Sequence, residues 1–138
     1  MPRGLTANGP EEAERAARGF VEAFNGHDIE RFASLLDPEV ELHSMRGLVT
    51  GRAAARDWAT RSPGGVQQTI DIVEATADDG MVLLEVDRVW HWAEDGTHAS
   101  TDQMAWLFEV GEDGLITSWR PFEERSQARL AFDGRESS

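Results

Sequence analysis

Two residues of opposite charge interrupt an otherwise apolar pattern in the second half of the chain. From Gly80 to Glu123, three stretches of alternating apolar and polar residues are separated by acidic turns containing glycine, which predicts three long strands. The turn Glu94-Asp95-Gly96 fits a three-residue hairpin loop with its glycine in the left-handed conformation, and counting outward pairs Arg88 with Asp102. Such a pair on an apolar wall can polarise or protonate a bound carbonyl. A structural ion pair is the alternative, because buried charges usually occur paired.

The two turns in this region predict the strand registers. Around the first turn, the expected pairs are Ala93 with Thr97, Trp90 with Ser100, Val86 with Met104 and Leu84 with Trp106. Around Gly111-Glu112-Asp113-Gly114, they are Val110 with Leu115, Phe108 with Thr117 and Trp106 with Trp119. The opposite face is a half-polar mixture with Leu83, Val89, Leu107 and Phe122 as its apolar members. Such a face is typical of a homodimer contact or of a solvated sheet.

A histidine beside a carboxylate is the second candidate for chemistry. His43 follows Glu41 by two residues on a short predicted strand, so both side chains lie on the same side of it. A neighbouring carboxylate raises the pKa of an imidazole and fixes its tautomer, which suits a general base. Hydrophobicity alone would turn Val40 and Leu42 inward instead and leave His43 on the surface.

Four of the five tryptophans could line a ligand site. Trp58, Trp90, Trp106 and Trp119 are more often core residues than a binding platform, but several indoles over one concave surface favour a flat, apolar ligand. Val86 and Met104 would complete the ligand-binding wall. The other histidines, His27, His91 and His98, have no spacing that suggests a metal site, and we expect neither a metal nor a cofactor.

Helical and strand patterns predict the elements that position these residues. Pro10 begins an amphipathic helix that ends at Asn25-Gly26, and Asp28 caps a shorter helix through Leu36 that Pro38 ends. A strand over Glu39–Met45, a helix from Thr50 or Gly51 to Arg61, and a strand over Val66–Ala77 follow. We expect one domain over residues 10–132, with residues 1–9 and 133–138 disordered.

Composition excludes several classes of function. The 138 residues fit a single domain, and a net charge of −13 argues against nucleic-acid partners and anionic membranes. The chain contains no Cys, no Tyr and no Lys, which excludes thiolate, Schiff-base and tyrosine acid chemistry. No apolar run reaches the length of a membrane span, and Met1–Asn8 lacks the apolar core of a secretory signal, so we expect a cytoplasmic protein.

Several short motifs, read with this order of elements, identify a family resemblance. Phe24-Asn25-Gly26-His27-Asp28, Asp37-Pro38-Glu39-Val40-Glu41-Leu42-His43, Gly51-Arg52-Ala53-Ala54 and Gly114-Leu115-Ile116-Thr117-Ser118-Trp119-Arg120 resemble the SnoaL-like branch of the NTF2-like superfamily. The resemblance covers about Glu12 to Phe132. It implies an α+β cone, in which three N-terminal helices pack on a curved, mainly antiparallel sheet that encloses a pocket. The family includes polyketide cyclases, steroid isomerases, dehydratases, epoxide hydrolases and non-catalytic proteins.

The resemblance also implies roles for particular residues. Similarity to the epoxide hydrolases implies that Glu41 and His43 point inward, where those enzymes hold water-binding side chains. Their Arg-x-Asp motif falls on Val86 and Arg88, and the acid they carry two residues after Trp119 is Pro121, which disfavours epoxide hydrolysis. Steroid isomerases rely on a Tyr that is absent here, and Asp102 is the sheet acid that a cyclase would need.

Two functions from different classes follow from these patterns. The first is a cofactor-independent acid–base enzyme of the cyclase, isomerase or dehydratase type acting on a small apolar ligand, polycyclic ligands included. In it, His43 is the base, Glu41 orients it, and Arg88 with Asp102 stabilises negative charge. The second is a non-catalytic module for ligand binding or dimerisation. We expect a homodimer through the outer sheet face in either case.

Overall fold

Within the residues that the structure describes, four helices and six strands follow the order that the sequence predicts, with one strand and one helix added. A computed structural model of the chain describes residues 10–44, 47–60, 66–78, 80–92 and 94–136. The elements are α1 (Pro10–Gly26), α2 (Ile29–Ser34), β1 (Leu36–Ser44), β2 (Gly47–Thr50), α3 (Arg52–Thr60), β3 (Val66–Asp78), β4 (Met81–Trp92), β5 (His98–Val110), β6 (Ile116–Phe122) and α4 (Arg125–Glu136). The α+β class, with three helices packed on a curved sheet, is confirmed.

Local backbone geometry and a side-chain cap explain where α1 ends and where α2 begins. His27 has φ 56°, which breaks the helical path after α1. The carboxylate of Asp28 accepts a hydrogen bond from the backbone N–H of Arg31 and caps α2. The predicted extension of α2 to Leu36 is wrong, because Leu36 instead pairs with Ile116 at the start of β1.

The six strands form one mixed sheet in the order β2-β1-β6-β5-β4-β3. β1 and β6 run parallel and the other neighbours are antiparallel. Pro38 lies within β1, where the pairing with β6 is irregular between Leu36 and Glu41, because proline cannot donate a ladder hydrogen bond. β2 was not predicted, since four residues are too few to show a period. The predicted end of strand one at Met45 lies outside the described residues.

The predicted register of the β4–β5 hairpin is confirmed. Arg88 lies opposite Asp102, and the other pairs are Trp90 with Ser100, Val86 with Met104 and Leu84 with Trp106. Gly96 has φ 73°, the left-handed conformation expected of it. A bulge between Trp90 and His91 shifts the pairing near the turn. The predicted Ala93–Thr97 pair involves Ala93, which is outside the described residues.

The predicted register between β5 and β6 is wrong. Val110 pairs with Ile116, Phe108 with Trp119 and Trp106 with Pro121, because a bulge between Glu109 and Val110 adds to a one-residue slip at the turn. The two shifts together amount to two residues from Phe108 onward. Since side chains alternate with a period of two, Trp119 keeps the face that was predicted for it.

The inner face of the sheet is the side that packs against α1, and its apolar residues form the main core. Leu84, Val86, Met104, Trp106 and Trp119 belong to this face and are all buried. Between them and α1 lie small and aromatic side chains of the helix, including Ala13, Ala16, Ala17 and Phe20.

The outer face is partly covered by α4, which the sequence interpretation missed. Leu83 and Leu107 are buried against Ala128 and Phe132 of this helix, so two of the four apolar residues of the predicted dimer contact are already covered. Because α4 continues to Glu136, residues 133–136 are helical and not disordered as expected. The expected disorder of residues 1–9 concerns a segment outside the described residues. None of the helices in the described ranges is long and apolar enough to cross a membrane.

Candidate functional site

A three-residue polar cluster lies on the inner face next to the apolar core. Asp102 Oδ2 accepts hydrogen bonds from Arg88 Nε at 3.2 Å, from Arg88 Nη2 at 2.9 Å and from the indole Nε1 of Trp90 at 3.0 Å. The Arg88 guanidinium also lies over the Trp90 ring, with Cζ 5.0 Å from the ring centroid. Strand alternation places all three side chains on the side of Val86 and Met104. The sheet thus presents one anchored carboxylate at the border of an apolar wall.

The hydrogen bonds to Asp102 determine its charge. The hydrogen bond from Trp90, followed by that from Arg88, lowers the pKa of Asp102 from its ordinary value of 3.8. Asp102 is therefore a carboxylate at neutral pH. It can accept a proton there but has none to donate, which removes the protonating role considered from the sequence.

Acid should weaken this cluster in a measurable way. A folded-state pKa below the unfolded value contributes stability that is present above the unfolded pKa and is lost as pH falls through the folded pKa. We therefore expect the melting temperature of the wild type to exceed that of Asp102→Asn at pH 7, and this advantage to narrow below about pH 4. The effect is modest, because the Asp102 side chain is 45% exposed. Melting curves from pH 2 to pH 7 test this expectation. Asp71 is an exposed carboxyl of β3, so the variant Asp71→Asn should keep the wild-type dependence of melting temperature on pH. A constant difference between wild type and Asp102→Asn would contradict the assignment.

Three of the four tryptophans predicted to line a ligand site converge on one aromatic cluster, which does not include Trp90. Trp58 on α3 lies 5.3 Å from Trp119 between ring centroids, and Trp119 lies 5.1 Å from Trp106 with the rings at 88°. Phe20 and Phe24 of α1 contact the same rings. Of the predicted ligand-binding residues, Val86, Met104, Trp106 and Trp119 are buried, whereas Trp58 and Trp90 are half-buried. The four buried residues are part of the core, and the assignment of all six to a ligand wall stays a prediction.

The predicted inward orientation of Glu41 and His43 is wrong. Val40 and Leu42 of β1 are fully buried on the inner face, so Glu41 and His43 point to the outer face. There they line an open groove of about 520 Å³ together with Asp37, Glu39, Glu109, Thr117, Ser118 and Arg120. His43 Nε2 and Glu41 Oε1 are 3.8 Å apart, and the two side chains are 40% and 52% exposed. Strand parity was the better guide, because burying two apolar side chains outweighs burying a charged pair.

Two contributions to the site were missed in the sequence. Trp90 was assigned to the ligand wall, although its N–H anchors Asp102. Asn25 was read as a helix end, but its side chain donates to the carbonyl of Ile70 at 2.9 Å and accepts from the N–H of Ile70 at 2.8 Å. Ile70 is the β3 partner of Arg88, so Asn25 fixes α1 against the strand beside the polar cluster. Within the described ranges, no group of three or more His, Asp or Glu side chains is arranged to hold a metal ion.

Solved structures with a similar arrangement of helices and sheet belong to proteins whose named activities differ. A putative polyketide cyclase from Xanthomonas campestris pv. campestris is 22% identical, with a TM-score of 0.71 over 86% of this chain and 94% of that chain. An LEH-like epoxide hydrolase from Mycobacterium tuberculosis is 24% identical, with a TM-score of 0.69 over 81% of this chain and 78% of that chain. A Mycobacterium tuberculosis protein in complex with estradiol-17beta-hemisuccinate is 16% identical, with a TM-score of 0.67 over 80% and 92% of the two chains. At these identities the likeness establishes the fold and not the activity.

Sequence comparison supplies the family. The comparison with curated proteins found no match. The family model described as the SnoaL-like domain matches residues 17–119, which is well over half of the chain and runs from α1 to β6. This match, together with the similar solved structures, confirms the resemblance inferred from the motifs. The chain belongs to the SnoaL-like domain family.

Proposed function

We propose that the protein is a cofactor-independent acid–base enzyme of the cyclase, isomerase or dehydratase type, acting on a small apolar ligand at the inner face of the sheet. The observation that carries the proposal is the Asp102 carboxylate, anchored through Oδ2 on the border of an apolar wall. No group of the described residues donates a hydrogen bond to its other oxygen, Oδ1. That oxygen is available to a ligand.

The proposed step is the removal of a proton from carbon. Asp102 Oδ1 accepts a proton from a carbon atom next to a ligand carbonyl, and the electron pair of the broken C–H bond moves onto the carbonyl oxygen as an enolate. The Arg88 guanidinium offsets the negative charge. In an isomerisation, the proton then returns from Asp102 to another carbon of the enolate. In a cyclisation, the enolate carbon attacks a second carbonyl, whose π electrons move onto its oxygen, and the resulting alkoxide takes the proton from Asp102. Because the lowered pKa makes Asp102 a weak base, the reaction requires a C–H bond that the carbonyl has already acidified.

The base role thus moves from His43 to Asp102 in this proposal. His43 and Glu41 lie on the outer face, so any chemistry of theirs would take place in the outer groove, away from Arg88. The proposal keeps the predicted ligand wall, which consists of Trp58, Val86, Trp90, Met104, Trp106 and Trp119.

A non-catalytic binding module is the second candidate. It is favoured by the mutual satisfaction of the polar cluster, in which Arg88 and Trp90 already neutralise and anchor Asp102. In that case the inner face binds an apolar ligand and changes no bond in it.

Proton exchange distinguishes the two candidates without knowledge of the natural substrate. The probe is 2-tetralone in D₂O with a metal chelator present, and NMR follows the loss of the signals of the protons next to its carbonyl. An acid–base enzyme should accelerate this exchange in proportion to protein concentration, above the rate in buffer alone. Exchange at the buffer rate, with bound ketone shown by titration, would contradict catalysis and leave the binding module.

A homodimer remains part of the proposal, with a changed contact. Because α4 covers Leu83 and Leu107, we place the contact with a second copy on α4 itself, where Leu130 is 71% exposed. The cytoplasmic location likewise stays a prediction.

A further inference from the structure

Two histidines lie opposite each other near the turn of the β4–β5 hairpin. His91 of β4 is the direct cross-strand partner of His98 of β5, and such partners have Cβ atoms about 4.5–5.5 Å apart. Their ring centroids are 6.4 Å apart, with the rings at 75°. The two residues are seven positions apart in the sequence, a spacing that matches no metal-binding motif. The hairpin therefore creates a pair of imidazoles that the sequence does not show.

A β-bulge brings this pair together. If the register of the rest of the hairpin continued to the turn, Ala99 would lie opposite His91, and His98 would lie on the other face, opposite Trp92. Instead the pairing shifts immediately before His91 and leaves Ala99 as the extra residue of β5. The shift continues to Trp92, whose N–H donates to the Thr97 carbonyl at 2.9 Å. Bulges of this kind often redirect a side chain beside a functional site.

Each of the two rings has one nitrogen held by a neighbouring group. His91 Nδ1 is 3.2 Å from the Gly96 carbonyl oxygen, which only accepts, so Nδ1 carries the proton and the neutral ring has its lone pair on Nε2. His98 Nε2 is 2.7 Å from Thr101 Oγ1. When His98 Nε2 donates to this hydroxyl, the lone pair of the ring is on Nδ1. Histidines that bind metals usually donate their other N–H in this way, which fixes the tautomer.

We propose that His91 and His98 bind one divalent transition-metal ion, through Nε2 of His91 and Nδ1 of His98. Imidazole nitrogen suits Zn²⁺, Cu²⁺ and Ni²⁺, whereas Mg²⁺ and Ca²⁺ prefer oxygen. With metal–nitrogen bonds of about 2.0–2.1 Å, two rings that share an ion have centroids about 5–6.5 Å apart, and the observed 6.4 Å falls in this range. Within the described ranges no third His, Asp or Glu completes a metal-binding group. Water would therefore supply the remaining ligands.

The proposed metal site is separate from the site at Asp102. Strand alternation places His91 on the outer face of the sheet, because its neighbour Trp90 donates to Asp102 on the inner face. The ion would therefore not contact the reacting ligand of the proposed function. A net charge of −13 favours the approach of any cation to this surface.

Zinc titration of the four histidine variants tests the site. Untagged protein would be freed of metal with a chelator, dialysed, and titrated with Zn²⁺ in a calorimeter. His91→Ala and His98→Ala each remove one proposed ligand, whereas His27→Ala and His43→Ala remove the other two histidines of the chain and serve as matched controls. Thermal melts without metal check that each variant is folded.

We expect the wild type to bind one Zn²⁺ per chain. Loss of either proposed ligand should weaken binding by at least the tenfold to 100-fold, approximately, that loss of an outer-shell partner costs. Thr101→Val removes the hydroxyl that holds His98 and should weaken binding about tenfold. The two control variants should keep the wild-type affinity. Unchanged binding in His91→Ala or in His98→Ala, or a loss in His43→Ala instead, would overturn the inference.

The 15N NMR signals of the imidazoles identify the binding atoms. On addition of Zn²⁺, the signals of His91 Nε2 and His98 Nδ1 should shift, while His91 Nδ1 stays protonated and hydrogen-bonded to Gly96. A shift confined to the ring of His27 or of His43 would contradict the assignment.

The result does not depend on the proposed function. Asp102→Asn should bind Zn²⁺ as the wild type does, and the proton exchange of 2-tetralone is measured with a chelator present. If zinc binds at the pair and no exchange is found, the metal site stands and catalysis fails. If exchange is found and zinc binding does not require both histidines, the metal site fails alone.

Discussion

Replacing Asp102 by Asn should lower the protein-catalysed exchange of 2-tetralone protons by about two to four orders of magnitude. The amide has nearly the same shape and still offers an oxygen to the Trp90 N–H, but it cannot accept a proton from carbon. Binding of the ketone should change little by comparison, because the apolar wall is untouched. Exchange rates at pH 7 at several ketone concentrations would separate the two effects, with the fold checked by thermal melting.

His43→Ala is the matched control for this experiment. His43 is the imidazole that the sequence suggested as the base, and it lies on the other face of the sheet from Asp102. Its removal should leave the exchange rate within about twofold of the wild type, since surface substitutions of this kind rarely disturb a distant site. A large loss in His43→Ala together with a normal rate in Asp102→Asn would reverse the assignment and place the chemistry in the outer groove.

Replacing Phe20 by Ala should cost about 3–5 kcal/mol of unfolding free energy, the largest stability effect expected of a single side chain here. Phe20 is fully buried, and its ring centroid lies 4.8 Å from that of Phe32 and 5.1 Å from that of Phe108. It also contacts Trp106 and Trp119. One truncation thus opens a cavity among helix α1, helix α2 and the sheet. Urea unfolding measures the change.

Leu48→Ala serves as the comparison for that measurement. Leu48 of β2 is 57% exposed, so its truncation removes little buried area and should change the unfolding free energy by less than about 0.5 kcal/mol. Phe20→Ala should differ from it in the urea midpoint at a similar slope. Equal midpoints for the two variants would mean that the aromatic cluster is not the centre of the core.

The β4–β5 hairpin could be predicted because its turn chemistry is local. The need for a left-handed residue identified Gly96 as the last residue of the loop. The loop position then determined that Arg88 lies opposite Asp102. The β5–β6 register failed for the converse reason, since the bulge at Glu109 and Val110 depends on how the two strands pack against the rest of the fold and leaves no mark in the turn sequence.

The site was predicted in part for similar reasons. Alternation along β4 and β5, together with the register set by their turn, placed Val86, Met104 and Asp102 on a common face, which needs no knowledge of the rest of the fold. The orientation of β1 was misjudged when the family likeness was allowed to outweigh the burial of Val40 and Leu42.

Helix α4 had a visible sequence signal that was not used. Ala128, Ala131 and Phe132 recur at helical spacing after Arg125, and all three contribute to the small apolar cluster on the outer face. Their pattern was overlooked because the charged residues around them dominate the composition of the last segment.

The side chain of Arg125 binds the backbone of the sheet from its outer face. Its guanidinium donates to the backbone carbonyls of Met104 at 3.1 Å and Val86 at 2.9 Å, and to the Asp87 carboxylate at 3.1 Å. The side chains of Met104 and Val86 form the wall on the far side of the same backbone. The guanidinium of Arg125 therefore binds the same peptide units whose side chains face the proposed ligand site on the other side of the sheet. A displacement of the C-terminal helix would therefore act, through these hydrogen bonds, on the backbone of the surface where the ligand is proposed to bind.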